Sequence, residues 1–146
     1  MASTYLSLNI HIVFATKRRA PLIADTFRDD LHAFIGGVAR TFGATVFRVG
    51  GTADHVHVFA STKASIALAD FVRELKKASS RWAVDRSPAF SWQAGYGAFS
   101  VSPHDVKSVA AYVARQAEHH HALSSADELR ALLKEHDITF DERYFE

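Results

Sequence analysis

The chain contains no cysteine. Disulfide staples and thiolate metal sites are excluded, and a reducing compartment is no obstacle to folding. Proline and glycine are sparse, 3 and 7 of 146 residues, too few for a disordered linker. No apolar run is long enough to span a bilayer, and Met1–Leu8 lacks the charged start and apolar centre of a signal peptide. No membrane partner is expected. Repeats and low-complexity stretches are missing too. Net charge is nearly absent: 17 Lys+Arg against 16 Asp+Glu leaves +1. Taken whole, that balance argues against a nucleic-acid partner. This length predicts one domain, able to bury about two-thirds of its unfolded surface.

The charge that is present is unevenly placed. Residues 1–115 carry 14 basic and 8 acidic residues, net +6, while residues 116–146 carry 3 and 8, net −5. A basic body with an acidic C-terminal end can meet a polyanion where a uniformly neutral surface cannot. The acidic end is expected to pack on the basic body or on a second subunit and to repel such a polyanion from unproductive surfaces.

Periodicity predicts the elements. Leu6, Leu8, Ile10, Ile12 and Phe14 alternate with polar residues as in a half-buried strand. Lys17-Arg18-Arg19 and Pro21 make a basic turn. Asp25 or Thr26 can cap a helix whose apolar positions run from Phe27 to Phe42, closed by Gly43. Thr45–Val49 and His55–Ala60 read as a hairpin around Gly50-Gly51. A long helix opens at Ser65, a loop spans Arg86–Gly97, and Phe99–Val101 is a short fourth strand. Ser102-Pro103 begins a helix reaching about His119. Ser125–Glu128 matches a capping box for a last helix ending near His136. This order suits a ferredoxin-like α+β domain: a four-stranded antiparallel sheet with helices on one face.

Three groups of residues can carry chemistry. His55-Val56-His57 lies on a strand, so both imidazoles share a face and can bind one divalent ion. The alternative is a polar sheet face. Tyr112 and Gln116 lie four apart on a helix, at the shoulder of the stripe formed by Val106, Val109, Ala110, Val113 and Ala117. There a side chain reaches a cleft, or simply packs at the core edge. Arg73, Lys76, Lys77 and Ser80 share one side of the long helix, with Lys17, Arg18 and Arg19 as a second cluster. A phosphate backbone gives such cations partners, although solvated basic faces are common. His119-His120-His121 is consecutive, a poor arrangement for one ion and a good one for a helix C-terminus. His11, His32, His104 and His136 have no evident partner and read as structural or surface residues.

The combination resembles the single-tyrosine insertion-sequence transposases of the His-hydrophobic-His (HUH) type, including their REP-associated branch. Ala53-Asp54-His55-Val56-His57-Val58 is similar to their metal motif. The segment from Phe90 to Val101 resembles the stretch they carry before the catalytic helix. Tyr112-Val113-Ala114-Arg115-Gln116 matches their Tyr-three-residues-Gln element, followed by Glu118-His119-His120. Lys17-Arg18-Arg19 and the run from Leu75 to Arg81 also fit, so the resemblance covers nearly the whole chain in order.

The resemblance implies a ferredoxin-like (RRM-like) fold with a catalytic helix and a C-terminal helix added. It implies one transposase domain over 1–146, divided into 1–101 with sheet and metal motif, 102–121 with the catalytic helix, and an acidic segment at 122–146. Tyr112 would be the nucleophile. His55, His57 and Gln116 would hold a divalent metal, Mg²⁺ or Mn²⁺, with no nucleotide cofactor. Lys17, Arg18, Arg19, Arg73, Lys76, Lys77, Arg81 and Arg115 would contact DNA. The substrate would be single-stranded DNA with hairpin ends, cut through a 5′-phosphotyrosine and rejoined by the freed 3′-OH. A homodimer acting at the nucleoid in a prokaryotic cytoplasm is implied as well. The motifs are intact, with no sign of an inactive copy. Two other readings share these features: an HUH nicking enzyme of the relaxase or replication-initiator kind, and a non-enzymatic ferredoxin-like nucleic-acid-binding module.

Overall fold

A computed structural model describes residues 3–119 and 123–144. Its sheet is built from β1 (Asn9–Ala15), β2 (Thr45–Gly51), β3 (His55–Ser61) and β4 (Gly97–Val101). All neighbours are antiparallel and the order is β2-β3-β1-β4, the ferredoxin-like arrangement expected. Helices α1 (Arg28–Thr41) and α2 (Leu68–Val84) follow β1 and β3. After β4 come a 3-10 turn at Pro103–Asp105, α3 (Val106–Ala114), the single turn α4 (Gln116–His119) and α5 (Ser125–Glu135). Among the described residues no helix is long and apolar enough to cross a membrane.

Strand alternation sends two chemically different sets of side chains to the two sheet faces. Ile12, Phe14, Val56, Val58 and Ala60 join Leu31, Ile35, Phe71, Val72 and Leu75 in the hydrophobic core beneath α1 and α2. His11, Val13, Ala15, His55, His57 and Phe59 point the other way, with Ala15 opposite His55 and Val13 opposite His57. Those histidines are nevertheless buried. The expected layout holds, with α1 and α2 on one face, and the added helix α3 crosses the second face over β2 and β3.

Gly50 makes that crossing possible. A Cβ there would meet the Val113 carbonyl oxygen at 2.1 Å, so only glycine lets α3 lie this close to β2. On β2 the register shifts between Val46 and Arg48. The intervening Phe47 packs on Phe59 with ring centroids 4.9 Å apart.

Several boundaries differ from the periodicity. β1 begins at Asn9, and Leu6 and Leu8 stand exposed before it. α1 starts at Arg28 with no side-chain cap, so neither Asp25 nor Thr26 serves; Asp25 instead pairs with Arg28 at 2.9 Å. α2 begins at Leu68, three residues after Ser65. Ser102 does cap, accepting from the His104 N–H. The helix expected to run unbroken to His119 is interrupted at Arg115. For α5 the cap is Ser124, whose hydroxyl accepts from the Asp127 N–H, rather than Ser125. That one-residue difference frees Ser125 and Glu128 to face inward, where both are buried. His120 and His121 lie outside the described residues.

Candidate active site

The second sheet face, α3, α4 and α5 enclose a polar centre. β3 supplies His55 and His57, both 0% exposed. α3 supplies Tyr112, and α4 supplies Gln116 one turn later, its amide within 3.5 Å of the Tyr112 carbonyl oxygen. The helix break at Arg115 thus keeps both on one side. At the middle of the group sits Glu128 of α5, 2% exposed.

Every polar atom in the centre has a consistent role. His57 Nε2–H donates to Glu128 Oε1 at 2.8 Å, and His57 Nδ1 accepts from His11 Nε2–H at 2.6 Å. His55 Nδ1–H donates to Asp54 Oδ1 at 2.8 Å, and its Nε2–H donates to Gln116 Oε1 at 2.9 Å. Gln116 Nε2 donates to Glu128 Oε2 at 3.1 Å, and the Tyr112 hydroxyl donates to the same oxygen. Ser125 donates to Asp54 Oδ2 at 3.2 Å and accepts from Arg19 at 3.0 Å, tying α5 to β3 and to the basic turn. Arg19 reaches there because Arg18 and Arg19 both adopt left-handed backbone, φ 57° and 52°, a conformation non-glycine residues rarely take.

The electrostatics follow from this packing. Burial opposes charge on His55, but its bonds to Asp54, Glu128 and Gln116 outweigh it and raise the pKa to about 9. Burial likewise opposes charge on Glu128, and the bonds from His55 and His57 outweigh it, holding that carboxyl well below the usual range. His11 is lowered to about 3 by burial and by its neighbour His57, so it stays neutral. Burial, then the bond to Glu128, raises the Tyr112 phenol above its ordinary value. In this state Tyr112 is held as a neutral donor, not as a nucleophile.

The donor set fits a divalent cation. His55, His57 and Glu128 each offer a ligand atom, all within 4.8 Å of one another, and Gln116 Oε1 points at His55. Asp54 behind His55 is the outer carboxylate that typically orients a metal-bound imidazole. The set implied by the resemblance, His55, His57 and Gln116, is neutral. Glu128 adds one negative charge and a carboxylate oxygen, the donor Mg²⁺ and Mn²⁺ favour.

Of the residues singled out from sequence, His55, His57, Tyr112 and Gln116 converge. Arg19 reaches their edge, and Lys17, Arg18 and Arg115 are exposed. The basic residues of α2 do not join them. Their helix packs on the opposite sheet face. There Arg73 pairs with Asp70 at 2.8 Å, and the Lys76 ammonium donates to the carbonyls of Gln93 and Gly95 at 2.8 and 2.7 Å. Lys77 and Arg81 are exposed on that helix. Three residues of the centre have no role assigned by sequence alone. His11 shows no evident partner in sequence, and its place in the β1 alternation is its only signal. Asp54 stands beside the motif, and the spacing of Glu128 suggests a capping residue. His136, equally without an evident partner in sequence, packs on Phe99 with ring centroids 4.7 Å apart.

A family model described as "Transposase IS200 like" matches residues 4–116. Comparison with curated proteins gave no match. Among solved structures, the chain is similar to a proposed transposase from Deinococcus radiodurans R1, at 24% identity and TM-score 0.63, covering 77% of this chain and 94% of that one. It is also similar to a REP-associated tyrosine transposase bound to a REP hairpin, at 16% identity and TM-score 0.55, covering 77% and 70%. Those two likenesses concern the fold. Glu128 and α5 lie beyond the residues the family model matches.

Proposed function

The chain belongs to the IS200-like transposase family, and on that premise we propose that it cuts and rejoins single-stranded DNA at the ends of a mobile element, with Tyr112 as nucleophile. The observation that carries this reading is the convergence of the Tyr112 hydroxyl, both motif histidines and Gln116 on one buried point.

His55, His57, Gln116 and Glu128 would hold a divalent cation, Mg²⁺ or Mn²⁺, which neutralises charge developing on the phosphate oxygens. In that role His55 would present a deprotonated Nε2, its proton released to solvent, while Nδ1–H stays on Asp54. Glu128 as a ligand would release the Tyr112 hydroxyl to face substrate. The phenol would pass its proton to water, its oxygen would attack phosphorus, and the bond to the 3′-oxygen would break with that oxygen taking a proton from water, giving a 5′-phosphotyrosine and a free 3′-OH. The phosphodiester energy is conserved in the tyrosyl ester, so the 3′-OH can attack a second such ester without ATP.

DNA is the partner this reading requires, and a structural neighbour is bound to a REP hairpin. Single strands with hairpin ends are the corresponding substrate here, acted on by a homodimer in the cytoplasm, with 1–146 serving as one functional domain. Lys17, Arg18, Arg19 and Arg115 serve the strand at the site. Arg73, Lys76, Lys77 and Arg81 would meet DNA only on the far side of the sheet.

Tyr112→Phe tests the assignment. The variant should bind a single-stranded element end as the parent does and form no covalent adduct; an adduct with the variant would refute it. Strand joining, beyond nicking, separates this reading from a relaxase-like nicking enzyme. Any metal-dependent adduct excludes a pure binding module.

A further inference from the structure

Beside the catalytic centre, bounded by β4, α3 and α5, lies an open cavity of about 580 Å³ that ends on Tyr112 and Glu128. From it we infer that the protein holds one unstacked nucleobase there, that of the nucleotide keeping the 5′-phosphate, and that it favours bases bearing an exocyclic amino group. This inference rests on the strand-cleavage reading and adds a base subsite to it.

Four features point to a base. The volume lies in the range of roughly 300–1,000 Å³ usual for small-ligand sites, and the position adjoins the proposed nucleophile. His136 lies over the buried Phe99 ring, with centroids 4.7 Å apart, and its own exposed ring offers a planar heterocycle a surface for stacking. Among the described residues, no lysine or arginine lines the cavity, whereas Asp105, Glu128 and Glu135 do. Glu128 is already engaged by His57, Gln116 and Tyr112, so the exposed carboxylates of Asp105 and Glu135 are the acceptors that a neutral base with N–H donors at its edge would meet. Thymine, lacking an amino group, would leave those acceptors less well matched.

The chemistry indicates which nucleotide enters. In-line attack by Tyr112 puts the departing 3′-oxygen on the far side of phosphorus. The nucleoside retained through its 5′-oxygen is the one that can turn back toward the α3 side, where the cavity opens.

The test uses the full chain without metal. Phe99 and His136 ring resonances are followed by NMR during titration with dAMP, dCMP, dGMP, TMP and 2-deoxyribose 5-phosphate. At least one amino-bearing nucleotide should shift both rings at concentrations about tenfold lower than TMP or the sugar phosphate. Ser108→Trp, at an exposed position on the rim, should fill the cavity and remove those shifts while leaving the remaining spectrum folded. Equal shifts from the sugar phosphate or from TMP, no shift with any nucleotide at millimolar concentrations, or unchanged shifts in the variant would each overturn the base site. Base binding without any covalent adduct would instead remove the strand-cleavage reading and leave the subsite standing. Cleavage with no nucleotide response does the reverse.

Discussion

The centre is arranged around Glu128, a carboxylate that lies beyond the residues the family model matches. Glu128 accepts from His57, Gln116 and Tyr112 and lies 3.4 Å from His55. Removing one partner of a buried charge cluster leaves the others uncompensated, so Glu128→Ala should lower apo stability by about 3 kcal/mol in denaturant melts. Asp54→Asn keeps the shape but loosens the outer support of His55. It should weaken Mn²⁺ binding, read by calorimetry, by about 10- to 100-fold. His32 offers a pH test on a residue that is not part of the polar centre. Burial first lowers its pKa to about 4, and its Nε2 has no hydrogen-bond partner among the described residues. A lowered histidine pKa means that folding favours the neutral ring. Its contribution is complete above the unfolded pKa of about 6.5 and is lost as pH falls toward 4. His32→Leu should flatten that part of the stability profile; an unchanged slope would show that His32 does not contribute to it.

At the level of elements, much was legible. Alternation in Ile10–Phe14 and His55–Ala60 identified the central strands and the side on which both motif histidines sit. The four-residue step from Tyr112 to Gln116 survived the break at Arg115, since their pairing depends on one helical turn. What failed depended on distant packing. Glu128 meets His57 across 71 residues, and the spacing within Ser125–Glu128 gives no hint of what the helix packs against. The acidic end, expected to pack on the basic body or a second subunit and to repel DNA, also sends its helix into the centre, which the charge pattern does not signal. The alternation starts the first strand at Leu6, three residues before Asn9, because Leu6 and Leu8 continue the pattern without a covering layer. Gly50 looked like an ordinary hairpin residue. Its requirement comes from Val113, an element away, and Gly50→Ala should cost about 2–3 kcal/mol in thermal or chemical melts. A neutral substitution there would show that α3 is not held against β2.

For the whole molecule, a net charge of +1 conceals two opposed regions, +6 over residues 1–115 and −5 beyond. Single-stranded DNA binding should therefore weaken steeply with salt. Alanine at Lys17 or Arg18 should reduce the slope of log affinity against log salt by about 0.7 each. The central claim is that Tyr112 becomes covalently joined to DNA at a metal-assisted site. The direct measurement is to incubate the protein with single-stranded flanks of its own gene and Mn²⁺, then separate the mixture on a denaturing gel. A slower protein–DNA band is expected, absent with chelator and absent for Tyr112→Phe. A complete lack of that band, or its persistence in the phenylalanine variant, would contradict the account.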